Sequence, residues 1–409
     1  MTDTDVLVIG AGPAGTIAST LLKRAGHRVA VVEKQHFPRF SIGESLLPQC
    51  MEYLEQAGML AAVEAAGFQK KDGAAFAWEE RSTQFRFDEQ FTPGWGYTYQ
   101  VERDRFDALL ADQAQQQGVP ITFGCSLAAI ETAHTGITAT LEHEDGQQQT
   151  VRARFALDAS GFGRVLPRLL NLEKPSNFPR RTAVFSHIDD HISDPHFDRN
   201  KILITVHQQR QDVWFWLIPF PDGKASIGVV APDDFFAGLP SDNSDCLNAA
   251  VAGDTRLAAL LSRATLRMPA RRQGGYSASV RSLHGEGYAL LGNAGEFLDP
   301  VFSSGVTIAM HSASLAAGVL DRQLRGEATD WEREFARPLQ QGVDTFRSYV
   351  SGWYDGRFQN VVFHPSPPEE IKRMICSILA GYAWDQNNPY VQHHQRRLTA
   401  LAEICADSL

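Results

Sequence analysis

The chain opens on a short apolar run, Asp5-Val-Leu-Val-Ile9, then a glycine turn, then a stretch that reads as helix to about Ala25. A second apolar run, Arg28-Val-Ala-Val-Val-Glu33, follows directly. Strand, helix and strand within about 30 residues predict a parallel sheet with a crossover helix. From about Phe76 to Tyr99 the pattern changes to aromatics and short alternating segments. Residues 103–118 read as helix, Val119–Phe123 as extended, and Arg152–Ala159 as an apolar strand ending in a glycine turn.

Between about Arg180 and Val230, four β-like runs follow one another: TAVFSHI, KILITVH, VWFWLIPF and ASIGVV. No helix separates them, so they predict an antiparallel sheet, inserted as a second lobe into the first. The strand YALLGNAG at 288–295 and a long helix from about Gly305 return the chain to the first lobe. The remainder reads mostly helical and is studded with aromatics. The expected division is a discontinuous nucleotide lobe over 1–75, 100–175 and 275–330, a sheet lobe over 76–99 and 176–274, and a helical region over 331–409. No fixed-period repeat is visible.

Composition narrows the class. With 409 residues, 43% apolar and 21% charged, the chain can bury a large core. Its net charge of -10 argues against nucleic acid, which favours a basic stripe. Five scattered cysteines, with no CxxC and no histidine at ligand spacing, suit a reducing compartment and argue against a structural zinc or other metal site. The N-terminus has no basic n-region and no cleavage site, so no signal peptide is expected. Val306–Leu320, the most apolar helix-length stretch, contains His311 and several serines and is too short to span a bilayer. The expectation is a cytoplasmic protein with no stable membrane insertion.

The chemistry starts at Gly10-Ala-Gly12-Pro13-Ala14-Gly15, a GxGxxG placed between strand and helix. The first glycine allows the tight turn, the second lets a pyrophosphate approach the backbone, and the third lets helix and strand pack closely. The helix start offers N–H groups and partial positive charge. Glu33, 18 residues after Gly15, ends the second strand where a carboxylate accepts bonds from ribose hydroxyls. A second glycine-rich strand-turn-helix, Gly292-Asn293-Ala-Gly295 through Ser303-Ser304-Gly305, would hold the far end of a long extended cofactor. FAD needs both ends held. No second GxGxxG follows a strand, so a dedicated NADPH domain is not expected.

Four segments in order, the fingerprint, Phe37-Pro-Arg39-Phe-Ser-Ile-Gly43-Glu44-Ser45-Leu-Leu-Pro48, Gln100-Val-Glu-Arg103-Asp-Arg-Phe-Asp107 and Asp158-Ala-Ser-Gly161-Phe-Gly-Arg164, resemble the group-A FAD-dependent monooxygenase superfamily. They are most similar to its geranylgeranyl-reductase and flavin-dependent-halogenase branch. The resemblance implies an α/β fold with a Rossmann-type FAD-binding lobe, GR2-like and para-hydroxybenzoate-hydroxylase-like, carrying an inserted antiparallel-sheet lobe and a helical C-terminal region. It implies FAD contacts at Gly10, Gly12, Pro13, Ala14, Gly15, Glu33, Lys34, Arg39, Gly43, Glu44, Ser45, Arg103, Asp158, Gly161, Asn293, Asp299, Gly305 and Val306.

Three further segments resemble the halogenases in particular. Trp214-Phe-Trp216-Leu-Ile-Pro219 is similar to their WxWxIP motif; at i and i+2 both indoles share one strand face, on the substrate side or as sheet core. Asp299-Pro-Val-Phe-Ser303-Ser304-Gly305 is similar to their DPxFSSG segment, which implies a halide held at Ser304 and Gly305. Consecutive amides at a helix start suit an anion. Lys71-Asp-Gly73 is similar to the segment carrying their catalytic lysine. If that segment is extended, Lys71 shares a face with Gly73, Ala75 and Ala77, with Phe76 and Trp78 opposite as core. Two departures weigh against halide: Asn293 replaces the branch's usual aspartate, and Glu296 adds a carboxylate near the nest. The implied activity is halogenation of a small electron-rich arene, free or carrier-tethered, with reduced FAD from a separate flavin reductase, oxygen and halide. The alternatives are a non-halogenating FAD monooxygenase or reductase, and a flavin-binding scaffold without turnover.

Overall fold

The structure is a computed structural model describing residues 2–176 and 178–406. Strand β1 (Thr2–Ile9) leads through the glycine turn into helix α1 (Pro13–Arg24) and strand β2 (Val29–Glu33). Short strands β3 (Gln69–Lys71), β4 (Gly73–Trp78), β5 (Arg81–Arg86) and β6 (Thr98–Gln100) precede helix α2 (Arg103–Gln116). Then come β7 (Ile121–Phe123), the hairpin β8 (Cys125–Ala133) and β9 (Gly136–His143), and β10 (Gln148–Asp158).

Strands β10, β1, β2 and β7 lie side by side and run parallel. A parallel sheet covered on both faces calls for continuous apolar strands, and Val6, Leu7 and Val8 are all fully buried. Helices α1 and α3 (Ser304–Leu324) pack against one another on the face that holds the largest core cluster.

The four runs of the central region form β11 (Thr182–Asp189), β12 (Lys201–His207), β13 (Arg210–Pro219) and β14 (Lys224–Ala231). Their order is β11-β14-β13-β12, each pair antiparallel, as the uninterrupted strand pattern predicts. One pairing differs from that expectation. The hairpin β4–β5 extends this sheet through a parallel contact of β4 with β12. Along β13 the side chains alternate between two cores. Trp214, Trp216 and Ile218 face the main cluster, while Val213, Phe215 and Leu217 face a second one under helix Asn243–Ala252.

Strand β15 (Tyr288–Leu290) rejoins the parallel sheet beside β10, and α3 starts shortly after it. Beyond residue 330 the chain is helical, with α4 (Arg337–Tyr354) followed by helices Arg357–Val362, Glu369–Leu379 and His394–Ala406. Among the described residues no helix is long and apolar enough to cross a membrane.

Candidate functional site

A cavity of about 400 Å³ runs between the glycine turn, the start of α3 and the tryptophan face of β13. Gly10, Gly12, Pro13 and Ala14 line its phosphate end. Gly10 has φ +100, and a Cβ there would stand 2.6 Å from the Ala159 carbonyl oxygen, so glycine is required for the fold itself. Gly12 has φ −72 and open space toward the cavity; a Cβ would meet nothing nearer than Arg39 Nη2 at 3.5 Å. Helix α1 has no side-chain cap and no acid in its first turn, which leaves its amides and dipole to a ligand. Gly15 does not line the cavity. Its α-carbon packs against the Gly10 carbonyl, the close helix–strand approach expected of the third glycine.

Glu33 and Lys34 are on the wall. The Ala11 amide donates to Glu33 Oε2 at 2.9 Å and the Gln35 amide to Oε1 at 3.0 Å. Each oxygen keeps a lone pair for a hydroxyl donor.

Arg39 and Arg103 also line the cavity, and both are held by Asp107 from the next turn of α2. Arg39 Nη1 lies 3.0 Å from Asp107 Oδ2, and Arg103 donates from Nε and Nη2 at 2.8 and 3.0 Å. Arg103 Nη1 additionally donates to the Ile42 carbonyl at 2.6 Å, which ties the Arg39–Ser45 segment to α2. Asp107 is fully buried. It stands in the quoted motif but was not among the sequence-predicted site residues; its i,i+4 spacing from Arg103 was the available signal.

Gly43, Glu44, Ser45, Gly161, Asn293, Gly305 and Val306 complete the wall as predicted positions. Glu44 Oε2 and Ser45 Oγ are buried with no hydrogen-bond partner among the described residues. Orphaned polar atoms on a cavity wall are costly unless a ligand completes them.

Two predicted acids are not on that wall. Asp158 is fully buried and spends both oxygens on backbone, accepting from Ser160 N at 2.9 Å and Leu166 N at 2.7 Å. Asp299 accepts from Val301 N at 3.0 Å, Tyr354 Oη–H at 2.9 Å and Tyr276 Oη–H at 3.5 Å, and burial pushes its pKa up to about 6. Both carboxylates shape the loops that face the cavity and leave no oxygen pointing into it.

At the second glycine segment Ser303 adopts the left-handed conformation (φ 56, ψ 23) and α3 begins at Ser304. A left-handed residue followed by helical ones turns successive amides toward one point, the geometry of an anion nest. Ser303 and Gly305 line the cavity; Ser304, the predicted halide residue, is 1% exposed and sits behind it. Glu296 does not threaten an anion there, because Arg347 of α4 pairs with its carboxylate.

Trp214 and Trp216 share the cavity wall as their i,i+2 spacing predicts, with ring centroids 6.0 Å apart. Neither indole N–H is free. Trp214 Nε1 donates to Tyr354 Oη at 2.9 Å and Trp216 Nε1 to Ser226 Oγ at 3.0 Å. They present ring faces, not donors.

Lys71 departs from its expected setting. Alternation breaks at Asp72, whose amide donates to Asn200 O and whose carbonyl accepts from Phe87 N. Lys71 therefore ends β3, while Ala75 and Ala77 belong to β4 and face the second core cluster. They share no face. The lysine is 1% exposed, donates from Nζ to the Leu46 carbonyl at 2.8 Å and stands 5.4 Å from the Phe87 ring centre. Burial pulls its pKa down to about 7. It lies one residue behind Ser45, off the cavity wall. Lys70 is exposed, over the Tyr97 ring at 4.5 Å.

FAD fits these residues: an uncapped helix start at a glycine turn, two arginines, an acid at the end of β2 and orphaned acceptors farther along one cavity. The comparisons with known proteins agree. The sequence profile described as the FAD binding domain matches residues 3–332. The chain is 26% identical to 1H-pyrrole-2-carbonyl-[peptidyl-carrier protein] chlorinase of Pseudomonas fluorescens, over 98% of the chain and 94% of that protein. It is 33% identical to tryptophan 2-halogenase of Chondromyces crocatus, over 79% of the chain and 62% of that protein. A flavoprotein/dehydrogenase crystal structure from Cytophaga hutchinsonii superimposes with a TM-score of 0.96 at 44% identity, over 99% of both chains. The chain thus belongs to the FAD-binding-domain family, as an FAD-dependent oxidoreductase whose curated relatives are flavin-dependent halogenases.

Proposed function

We propose that the protein halogenates an electron-rich aromatic substrate, using halide, oxygen and FAD reduced by a separate flavin reductase. Bound FAD supplies the oxygen activation, and the chain supplies position, charge and exclusion of water. Gly12, Pro13 and Ala14 receive the pyrophosphate at the start of α1, and Glu33 accepts from the ribose. Arg39 and Arg103 would neutralise phosphate, Asn293 would bond a ribityl hydroxyl, and Gly305 and Val306 line the same cavity. The amides of Ser304 and Gly305 hold the halide, the Ser303 amide being taken by the Pro300 carbonyl at 3.0 Å. Trp214 and Trp216 close the cavity above it with apolar ring faces.

Lys71 is the proposed halogen carrier. A transfer through nitrogen requires the free amine, and burial brings its pKa to about 7, so near neutrality a large fraction of it is unprotonated. The carbonyl of Leu46 aims it. The substrate reaches it free or on a carrier protein; the fluorescens relative is a chlorinase of a carrier-bound pyrrole.

The observation that carries this reading is the left-handed Ser303 at the start of α3, beside Gly305 and two tryptophan rings on one cavity. Its test uses the left-handed residue. In FAD-loaded protein, bromide should perturb the flavin absorbance saturably. Ser303→Gly keeps φ +56 accessible and should preserve the effect, whereas Ser303→Val, β-branched, should abolish it. No bromide effect in the wild type rejects the nest.

One observation favours a second reading, a non-halogenating FAD oxidoreductase. Lys71 is sealed from the cavity in this conformation. That reading requires products that are the same with and without halide.

A further inference from the structure

Glu44 and His187 are 143 residues apart in sequence, and Glu44 Oε1 lies 2.5 Å from His187 Nε2. Glu44 belongs to the cavity wall, His187 to β11 of the second sheet. The glutamate is 1% exposed, and its other oxygen, Oε2, has no partner among the described residues. The imidazole is packed between the rings of Phe40, at 5.6 Å, and Phe220, at 5.3 Å. Its side chain keeps 18% exposure, and only Nε2 is engaged by the protein among the described residues.

A latch between the two sheets would need the Oε1–Nε2 contact alone. It would have no use for a buried carboxylate oxygen left unpaired on a cavity wall, a costly arrangement. Nor would it need an imidazole open to water on one side. Both features suit a path that ends at a residue of the cavity wall on one side and at solvent on the other.

We propose that Glu44 and His187 carry protons between solvent and the group bound in the cavity. For inward delivery, His187 Nε2 gives its proton to Glu44 Oε1, the carboxyl turns and passes that proton to an acceptor in the cavity, and the neutral ring, still protonated on Nδ1, turns to take a proton from water at Nε2 before it closes on Glu44 again. The pair ends as it began, and neither member is oxidised or reduced. Burial would pull the imidazole pKa down, but the bond to Glu44 and its charge, with Asp104 and Glu102 nearby, more than offset this and raise it above 6.5. Arg271 stacks over the neighbouring Phe40 ring at 4.1 Å and opposes that shift. The imidazole thus keeps its proton to higher pH than a free histidine does.

The inference rests on the FAD-binding part of the proposed function and is independent of halide. Return of two electrons from reduced FAD to dioxygen forms hydrogen peroxide and takes up a proton, so the rate of flavin reoxidation reads the proton supply. In FAD-free protein, the His187 ring-proton NMR signal should titrate above pH 6.5, and Glu44→Gln should lower its proton affinity at least tenfold. In FAD-loaded protein reduced by light, oxygen-driven reoxidation should slow as pH rises through that midpoint. His187→Gln keeps an amide donor toward Glu44 but cannot pass a proton; it should be at least tenfold slower at neutral pH, with a flat pH profile. His187→Ala should recover with added imidazole. Wild-type reoxidation in His187→Gln, no rescue by imidazole, or an unmoved midpoint in Glu44→Gln would each overturn the proposal. Failure to bind FAD would overturn the FAD reading, while the NMR titration would still decide the pair.

Discussion

Replacing Lys71 with methionine should make the protein more stable, and the gain should disappear as pH rises. The amine is 1% exposed, with the Leu46 carbonyl as its hydrogen-bond acceptor and the Phe87 ring beside it. An ammonium has three N–H donors to satisfy. Burial accordingly takes its pKa from 10.5 to about 7. At 1.36 kcal/mol per unit, keeping the ammonium in this position costs about 5 kcal/mol relative to water. Methionine fills a similar volume without charge.

The direction with pH follows from which state binds the proton. Between about pH 7 and 10.5 the unfolded chain holds a proton that the folded chain has released. Wild-type stability therefore gains about 1.4 kcal/mol per pH unit from this group across that window. Below pH 7 both states are protonated and the full penalty applies. Urea unfolding of the FAD-free proteins at several pH values from about 6 to 9 gives the difference directly, since groups common to both cancel. Lys71→Met should lead by several kcal/mol at the acid end, the lead shrinking toward pH 9. A lead that does not vary with pH, or a wild type more stable at pH 6, would refute the buried-amine argument.

Gly12→Val should fold almost as the wild type does, because φ −72 and a nearest neighbour at 3.5 Å leave room for a side chain, yet it should raise the FAD dissociation constant at least about a hundredfold. Gly10→Ala should instead lower the melting temperature of the FAD-free protein, since φ +100 and the Ala159 carbonyl exclude a Cβ. Asp107→Asn should cost about 3–5 kcal/mol in urea unfolding by leaving Arg39 and Arg103 uncompensated, and should weaken FAD in fluorescence titration. Lys71→Ala and Lys71→Arg should keep FAD but lose arene halogenation at least about a hundredfold, roughly 2.7 kcal/mol of transition-state stabilisation, whereas exposed Lys70→Ala should be nearly silent.

What could be read from the sequence was local. The glycine turn, the strand before it and Glu33 after it are fixed by backbone geometry within about 30 residues, and the structure places them as expected. The shared face of Trp214 and Trp216 follows from strand period alone. Lys71 was misplaced because a single residue, Asp72, pairs with Phe87 and, far along the chain, with Asn200, and so resets the alternation. Asp158 and Asp299 look like ligands beside glycines, yet nearby backbone amides and two distant tyrosines consume them. Arg347 and His187 act through partners 51 and 143 residues away, which no spacing rule exposes, and the i,i+4 spacing of Asp107 from Arg103 does not reveal its second partner, Arg39.

The central claim is halogenation, and the product tests it most directly. The FAD-loaded protein, a flavin reductase and NADH would be incubated with bromide and a panel of phenols and pyrroles, free and carrier-bound, and the products weighed by mass spectrometry. The prediction is at least one arene that gains bromine, seen as paired isotope peaks of nearly equal height, absent without bromide and absent with Lys71→Ala. Turnover of an arene to the same unhalogenated product with and without bromide would contradict it.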